Sequence, residues 1–293
     1  MKRLFLIITL LLTLTLTSCK SNNQIDIITS SYFEYDIVRN ITNDNLEIKS
    51  LIKPGTSNHD FEPSSRDIQK IYNSKLFVFT SYELHGWLNE NEKNLVSKDT
   101  IVLNLSKYVK TELSDLHYWT DPLIFIELID TILEQIIIID PSNKELYINN
   151  ALTYSNKIFN LHLEIESFLK PISKPTIYLS GHNSMLYFEN RYDIKIEALS
   201  NTDKPDADIT SKQLKILIEE IKLNNITDLF TEELANLKIA NTIKTELQRD
   251  GISLNLLELH GYHNISKKDF NNNVTYYDLL LRNFNNIKKA LGN

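Results

Sequence analysis

The sequence predicts an α/β protein made of two βα-repeat lobes, each with a central parallel sheet, joined by one long rigid helix. Three observations support this fold class. Short β-branched runs alternate with amphipathic stretches from Ile25 onward, this rhythm occurs twice, and a segment without Pro or Gly, residues 142–170, separates the two halves. Alternating strands and helices are typical of a largely parallel sheet. The length of 293 residues also favours two domains over one.

Each half of the chain contains four short apolar runs that we predict as strands. In the first half they are IDIITS, IKSLI, LFVFT and TIVLN, and in the second half TIYLS, KIEALS, ITDLFT and SLNLLEL. Amphipathic segments lie between the strands and are predicted as helices. Examples are YFEYDIVRNIT, SSRDIQKIYN and the C-terminal YYDLLLRNFNNIKKAL.

The segment between the two halves predicts a single linking helix over residues 140–170. Apolar residues recur in it at three- and four-residue spacing, which is the period of a helix packed on one face; they are Tyr147, Ala151, Tyr154, Ile158, Leu161 and Ile165. Asp140-Pro141 marks the start and Lys170-Pro171 the end. The predicted division is a signal peptide at 1–18, an N-terminal lobe at 19–139, the helix at 140–170 and a C-terminal lobe at 171–293.

The first segment, MKRLFLIITLLLTLTLTSC, has the features of an export signal. Lys2 and Arg3 precede an apolar stretch that is too short for a membrane-spanning helix, and Cys19 is the only cysteine of the chain. The ending LTSC resembles a bacterial lipobox, in which cleavage precedes the cysteine and a lipid is attached to its sulfur. Cys19 is therefore the predicted lipid attachment site, holding the protein on the extracytoplasmic face of the cell membrane. A plain secretory signal is the alternative.

The charge of the chain argues against nucleic acid as a partner. The formal net charge is −7, and loss of Lys2 and Arg3 with the signal makes the mature chain more acidic. No cluster of Lys and Arg is interleaved with aromatic residues. We expect no nucleic-acid partner.

Five of the seven histidines lie where a predicted strand has ended and a loop or helix begins. They are His59, His117, His182, His260 and His263. The carboxyl ends of parallel strands lie at one edge of a sheet, so these loops can converge on a cleft between the lobes. Four imidazoles can close a tetrahedral Zn²⁺ shell, whereas Mn²⁺ favours more carboxylate oxygen. The pattern therefore predicts a zinc site.

The remaining histidines, His85 and His162, do not end a strand in this way and are predicted to be structural. A lone histidine is more often a surface or capping residue than a metal ligand. The zinc prediction consequently depends on several histidines occurring together at strand ends.

Four motifs resemble, in the same order, the signatures of the zinc- and manganese-binding lipoproteins that serve bacterial ABC importers. They are PGTSNHDFEPSSRDI, DLHYWTDP, SGHNSMLYFENRYDI and LFTEELANLKIANTIKTE. Leu116 departs from the second signature, where the family usually has proline. The resemblance runs from about Ile25 to the C terminus and includes the lipobox.

The resemblance implies that His59, His117 and His182 are metal ligands. Members of the family place a fourth ligand shortly after the last strand, where LHGYHN offers two histidines. We favour His263, because Gly261 frees the turn before it, and keep His260 as the alternative.

Other residues of the motifs are expected to surround the ligands. Trp119 and Tyr187 are expected to pack around the cleft, while Asp60 and Glu232 are candidates for orienting an imidazole. The histidine-rich loop that many zinc members carry ahead of the second ligand is absent, since NLSKYVKTELSD contains no histidine.

The function implied is capture of Zn²⁺ by a monomeric, membrane-tethered binding protein that delivers it to the permease of an ABC transporter. Manganese as the cargo is one alternative, and a surface adhesin with a bound metal is another. A zinc hydrolase is disfavoured, because such enzymes usually show a motif such as His-Glu-x-x-His and the sequence has none. We therefore do not expect an enzyme.

Overall fold

The fold is described from a computed structural model that covers residues 25–56, 61–88, 95–110, 113, 115–200 and 210–292. It contains two four-stranded parallel sheets, one in each half of the chain, which confirms the predicted α/β class. The first sheet comprises β1 (Ile27–Thr29), β2 (Ile48–Ser50), β3 (Leu76–Phe79) and β4 (Ile101–Asn104). The second comprises β5 (Thr176–His182), β6 (Lys195–Ser200), β7 (Asp228–Glu232) and β8 (Asn255–Leu259). All eight predicted strands occur.

The two sheets share one topology. The strand order is β2-β1-β3-β4 in the first sheet and β6-β5-β7-β8 in the second, with every neighbouring pair parallel. Strands β1 and β3 are buried at every residue, as expected for strands covered on both faces. Because all strands of a sheet point the same way, the loops that follow them gather at one edge of each lobe.

The helices begin at polar capping residues in several cases. Ser64, Thr210 and Thr275 each accept a hydrogen bond from a backbone N–H of the helix that follows, and all three form capping boxes. The helices are α1 (Tyr32–Thr42), α2 (Ser65–Tyr72), α3 (Pro122–Ile139), α4 (Lys144–Leu169), α5 (Leu186–Tyr192), α6 (Ser211–Leu223), α7 (Lys238–Arg249), α8 (Lys267–Asn271) and α9 (Tyr276–Leu291). Short 3-10 turns lie at Leu105–Tyr108, Tyr118–Thr120 and Pro141–Asn143.

Helix α4 corresponds to the predicted linking helix and begins slightly later than expected. The carboxylate of Asp140 accepts hydrogen bonds from Ser142, Asn143 and Tyr147 at 2.5 to 2.8 Å, which holds residues 141–143 in a 3-10 turn. These bonds, led by that from Ser142, lower the pKa of Asp140 to about 2. The six apolar residues at helical spacing are all buried. The exact domain limits stay a prediction.

The lobes are packed around a common hydrophobic core that extends from β1 to α9. Phe125 of α3 stacks on Tyr276 of α9 with ring centroids 3.6 Å apart. The Trp119 indole N–H donates to the carbonyl of Gly261 at 2.8 Å, and the Tyr276 hydroxyl donates to the carbonyl of Trp119. These contacts cross between the halves of the chain and fix how the two sheet edges face each other.

Within the described residues, no helix has the length and apolar character needed to cross a membrane.

Candidate metal centre

His117 enters the cleft from the N-terminal lobe, immediately before the 3-10 turn Tyr118–Thr120, and is buried. One carboxylate oxygen of Asp115 accepts the His117 backbone N–H at 2.6 Å and lies 3.0 Å from its Nδ1. Burial opposes ionisation of Asp115, but the hydrogen bonds from His117 outweigh it and hold the pKa of that carboxyl below its ordinary value. With Nδ1 donating to Asp115, Nε2 carries the lone pair that a metal requires. The imidazole packs against the Trp119 ring at an interplanar angle of 67°.

His182 is the last residue of β5, and Glu232 is the last residue of the neighbouring strand β7. One oxygen of Glu232 accepts the backbone N–H of His182 at 2.6 Å, and the other lies 2.7 Å from its Nδ1. Gly181 makes this approach possible, since a Cβ at that position would lie 1.9 Å from Glu232 Oε1. The carboxylate therefore bonds the backbone of His182 and lies in close contact with its ring.

His263 follows β8 and is buried at the same sheet edge. Its Nδ1 lies 3.3 Å from the carbonyl oxygen of Gly261 and 3.6 Å from Oε1 of Glu233. The left-handed residue of the turn is Tyr262, with φ 65°, whereas Gly261 is not among the glycines with positive φ. Gly261 is needed for space, because a Cβ there would lie 2.9 Å from Ser184 Oγ and 3.1 Å from the His263 ring.

His260 is held by α9 through its backbone. Its N–H donates to Asn283 Oδ1 and its carbonyl accepts from Asn283 Nδ2, both at 2.8 Å. The ring Nδ1 accepts the Tyr262 backbone N–H at 2.9 Å, and burial lowers the pKa of His260 to about 3. Among the described residues, the only aromatic neighbour found for its ring is Tyr262. In this arrangement α9 and Tyr262 hold His260 beside the cleft, and its Nε2 is buried with no hydrogen-bond partner among the described residues.

Three of the predicted ligands come together. The ring centroids of His117 and His182 are 5.7 Å apart, and those of His117 and His263 are 5.6 Å apart. Two imidazoles on one tetrahedral zinc, with Zn–N about 2.0 to 2.1 Å, have centroids roughly 5 Å apart, so small movements bring these rings to that spacing. Among the described residues, no group of three or more His, Cys, Asp or Glu side chains is close enough as it stands to hold a metal ion. His59, Asp60 and Cys19 lie outside the described residues.

Comparison with known proteins places the chain in a family. The family model ZnuA, "Zinc-uptake complex component A periplasmic", matches residues 27–290. The chain belongs to the ZnuA family. This confirms the resemblance found in the sequence motifs.

Relatives within the ZnuA family are distant in sequence and similar in fold. The high-affinity zinc uptake system protein ZnuA of Bacillus subtilis is 25% identical over 288 residues, which cover 92% of this chain and 88% of that protein. The zinc-binding lipoprotein AdcA of Streptococcus pneumoniae is 25% identical over 313 residues, and this chain spans only 61% of its length. The crystal structure of the metal-dependent lipoprotein YcdH from B. subtilis gives a TM-score of 0.78 at 26% identity, covering 91% of this chain and 99% of that one.

Two carboxylates of this ZnuA-family cleft were not singled out from the sequence as partners of histidines. Asp115 precedes His117 by two residues, a spacing at which a short acidic side chain can bond the following backbone. Glu233 follows Glu232 at the end of β7, and only the fold brings it to His263. Glu232, by contrast, was a candidate from its motif. The predicted packing residues Trp119 and Tyr187 are both buried in this region.

His85 and His162, which were predicted to be structural, lie elsewhere. The ring of His85 lies 2.8 Å from Ser30 Oγ, and Nδ1 of His162 lies 2.9 Å from the hydroxyl of Tyr192. Both are buried. Each therefore has a hydrogen-bonding role inside its own part of the fold.

Proposed function

We propose that this protein captures Zn²⁺ outside the cytoplasmic membrane, in the cleft between its lobes, and delivers the ion to the permease of an ABC transporter. The observation that carries the proposal is the convergence of His117, His182 and His263, whose ring centroids lie 5.6 to 5.7 Å apart along the two measured pairs. Relatives in the family are described as zinc-uptake and zinc-binding proteins, which supports the same cargo.

The proposed ligands are His59, His117, His182 and His263, with His260 as the alternative fourth ligand. Neutral imidazole is a preferred zinc donor, and a nitrogen-rich tetrahedral site suits Zn²⁺ better than Mn²⁺, which takes more carboxylate oxygen. The acidic side chains near the rings lie on the Nδ1 side of the histidines. They favour the tautomer in which Nε2 binds the ion.

Binding and release are the whole of the proposed activity, and zinc is the cargo. The protein acts as a monomer that meets its permease at the membrane, tethered through a lipid on Cys19. Both lobes contribute ligands, so the metal-bound cleft depends on the two lobes together. A permease can recognise this metal-bound form. No bond of a substrate is made or broken.

A single set of measurements tests the cargo and the ligands. Metal analysis of protein purified without added metal should find one zinc per chain, and Zn²⁺ should displace Mn²⁺ in competition. In titrations against a chelator, His263→Ala and His117→Ala should weaken zinc binding by more than about 100-fold, because removing a direct ligand costs more than the 10- to 100-fold typical of an indirect partner.

His260→Ala should weaken zinc binding less than His263→Ala, and His162→Ala provides a control that removes a buried histidine outside the cluster. An equal or larger effect of His260→Ala would show that the fourth ligand is assigned to the wrong histidine. A wild-type protein that binds no zinc, or that prefers manganese, would overturn the proposed cargo.

A further inference from the structure

The last residue of β7 and the residue after it are consecutive carboxylates that lie near different histidines. Glu232 contacts His182, and Glu233 extends toward the turn after β8 that carries His263. The Glu233 side chain is only 4% exposed. Within the described residues, His263 is the only basic side chain found in ion-pair contact with it. A buried carboxylate without a cationic partner costs folding free energy, so a compensating interaction is expected at this position.

The two oxygens of Glu233 have different surroundings. Oε2 accepts the backbone N–H of Gly261 at 2.8 Å, which ties the end of β7 to the turn after β8. Oε1 is buried, has no hydrogen-bond partner among the described residues and lies 3.6 Å from Nδ1 of His263. That distance is too long for a hydrogen bond, and Nδ1 lies nearer to the Gly261 carbonyl oxygen, at 3.3 Å, so a rotation of the ring toward Glu233 would exchange one acceptor for the other. Burial raises the pKa of Glu233 to about 8.

We propose that Glu233 is a positioning residue for the captured metal: it holds the turn through Gly261 and accepts the Nδ1–H of His263 when the ion is bound at Nε2. The inference rests on the proposed function. Metal-binding histidines almost always donate their other ring N–H to a carboxylate, a backbone carbonyl or water, and this fixes the tautomer and raises the basicity of the ligand. A cation bound through His263 also supplies the positive charge that the buried carboxylate otherwise lacks.

Glu233 is placed to act through His263 and not as a ligand itself. Its Oε1 lies on the Nδ1 side of the ring, as do the carboxylates beside the other two histidines. The three histidines therefore share one arrangement: a carboxylate lies beside Nδ1 of each ring, from Asp115, Glu232 or Glu233. The Glu233 contact is the longest of the three, at 3.6 Å against 3.0 and 2.7 Å.

The test compares Glu233→Ala and Glu233→Gln with Glu258→Gln, which removes a carboxylate of the same lobe that hydrogen-bonds Arg282. Zinc affinity is measured by chelator competition on the full folded chain. Glu233→Ala should weaken binding about 10- to 100-fold. Glu233→Gln should lie between Ala and the wild type, because its one amide oxygen can accept from Gly261 or from His263 but not from both. Glu258→Gln should stay within about twofold of the wild type.

Nitrogen-15 NMR of the histidine rings separates positioning from a purely structural role. In the zinc-bound wild type, His263 should show a protonated Nδ1 in slow exchange with water, and Glu233→Ala should lose that protection while His182 keeps its own. Wild-type affinity in both Glu233 variants, or an unchanged His263 signal in a weakened Ala variant, would overturn the inference alone. A wild type without zinc affinity would overturn the proposed function together with it.

Discussion

At the scale of single residues, the space around Gly181 is what allows Glu232 to hold His182. A Cβ at position 181 would lie 1.9 Å from Oε1 and 2.9 Å from Cδ of Glu232. Two unbonded heavy atoms cannot approach that closely, so any side chain there displaces the carboxylate. The glycine is needed for close approach and not for an unusual φ, since Gly181 is not among the residues with positive φ.

We predict that Gly181→Ala weakens zinc binding about 10- to 100-fold, the loss expected when the partner of a metal-binding histidine is removed. The crowded methyl group should also destabilise the protein by about 1 to 3 kcal/mol. Zinc affinity by chelator competition and unfolding in urea measure the two effects. Gly86→Ala is the matched control, because a Cβ at position 86 meets no atom within 4 Å. Equal zinc affinity in the two variants would contradict the role given to Gly181.

At the scale of elements, the start of α1 is anchored by a buried polar cluster in the N-terminal lobe. The Glu34 carboxylate accepts the backbone N–H groups of Ser30 and Ser31 at 2.7 and 2.9 Å and the hydroxyl of Thr80 at 2.6 Å. Ser30 Oγ also donates to Glu34 and lies 2.8 Å from Nε2 of His85. The cluster thus joins the ends of β1 and β3 to the first turn of α1.

Burial shifts the pKa values of the two ionisable groups in this cluster in opposite directions. It raises the pKa of Glu34 to about 7, although the hydrogen bonds oppose the change, and lowers the pKa of His85 to about 4. The stability contributed by neutral His85 is complete above pH 6.5 and is lost as the pH falls toward 4. The stability contributed by protonated Glu34 is complete below pH 4.5 and is lost as the pH rises toward 7.

Between pH 6.5 and 4.5 we therefore predict opposite behaviour for two variants. On acidification, His85→Gln should gain stability relative to the wild type by up to about 1.4 kcal/mol per pH unit, and Glu34→Gln should lose it at a similar rate. The measurement is urea unfolding of the chain at several pH values, with a chelator present so that bound zinc contributes nothing. Free energies of unfolding that run parallel to the wild type in both variants would show that neither group titrates as described.

At the scale of the whole molecule, the cleft depends on contacts that join the lobes. Asp121, which caps α3 in the first half, forms an ion pair with Arg191 of α5 at 2.6 Å, and Trp119 donates to Gly261 across the same boundary. The helix α4 joins the lobes in a single segment. A shared core and a continuous helix limit wide hinge closure, so we expect metal exchange to depend on local movement of loops more than on large rotation of the lobes.

The tether is the other property of the whole molecule, and we predict that it is a lipid on Cys19. Five residues lie between Cys19 and Ile25, so the six steps of chain can span at most about 20 Å between the lipid and the first described residue. Mass spectrometry of the native N terminus should find a lipidated Cys19 as the first residue. Cys19→Ser should release the chain from membranes with zinc affinity unchanged, because no proposed ligand is altered. An unmodified cysteine or a different mature start would contradict the anchor.

The sequence by itself determined the elements, because the signals for them are local. Period-two and period-3.6 patterns identified eight strands and the helix α4, and the order of the strands in the chain then required two parallel sheets. Residues that end strands, such as His182, were found the same way, since their position along a strand is readable without the fold. The four motifs, which occur in the same order as in the family, identified the family.

Only the tertiary structure decided which side chains meet. His260 and His263 are three residues apart and alike in the sequence, but Asn283 of α9, far along the chain, bonds the backbone of His260 while His263 comes to lie beside His117. Glu233 likewise reaches His263 only because β7 and β8 are neighbours in the sheet. Choices of this kind depend on contacts between distant segments, whose free energies no local pattern contains.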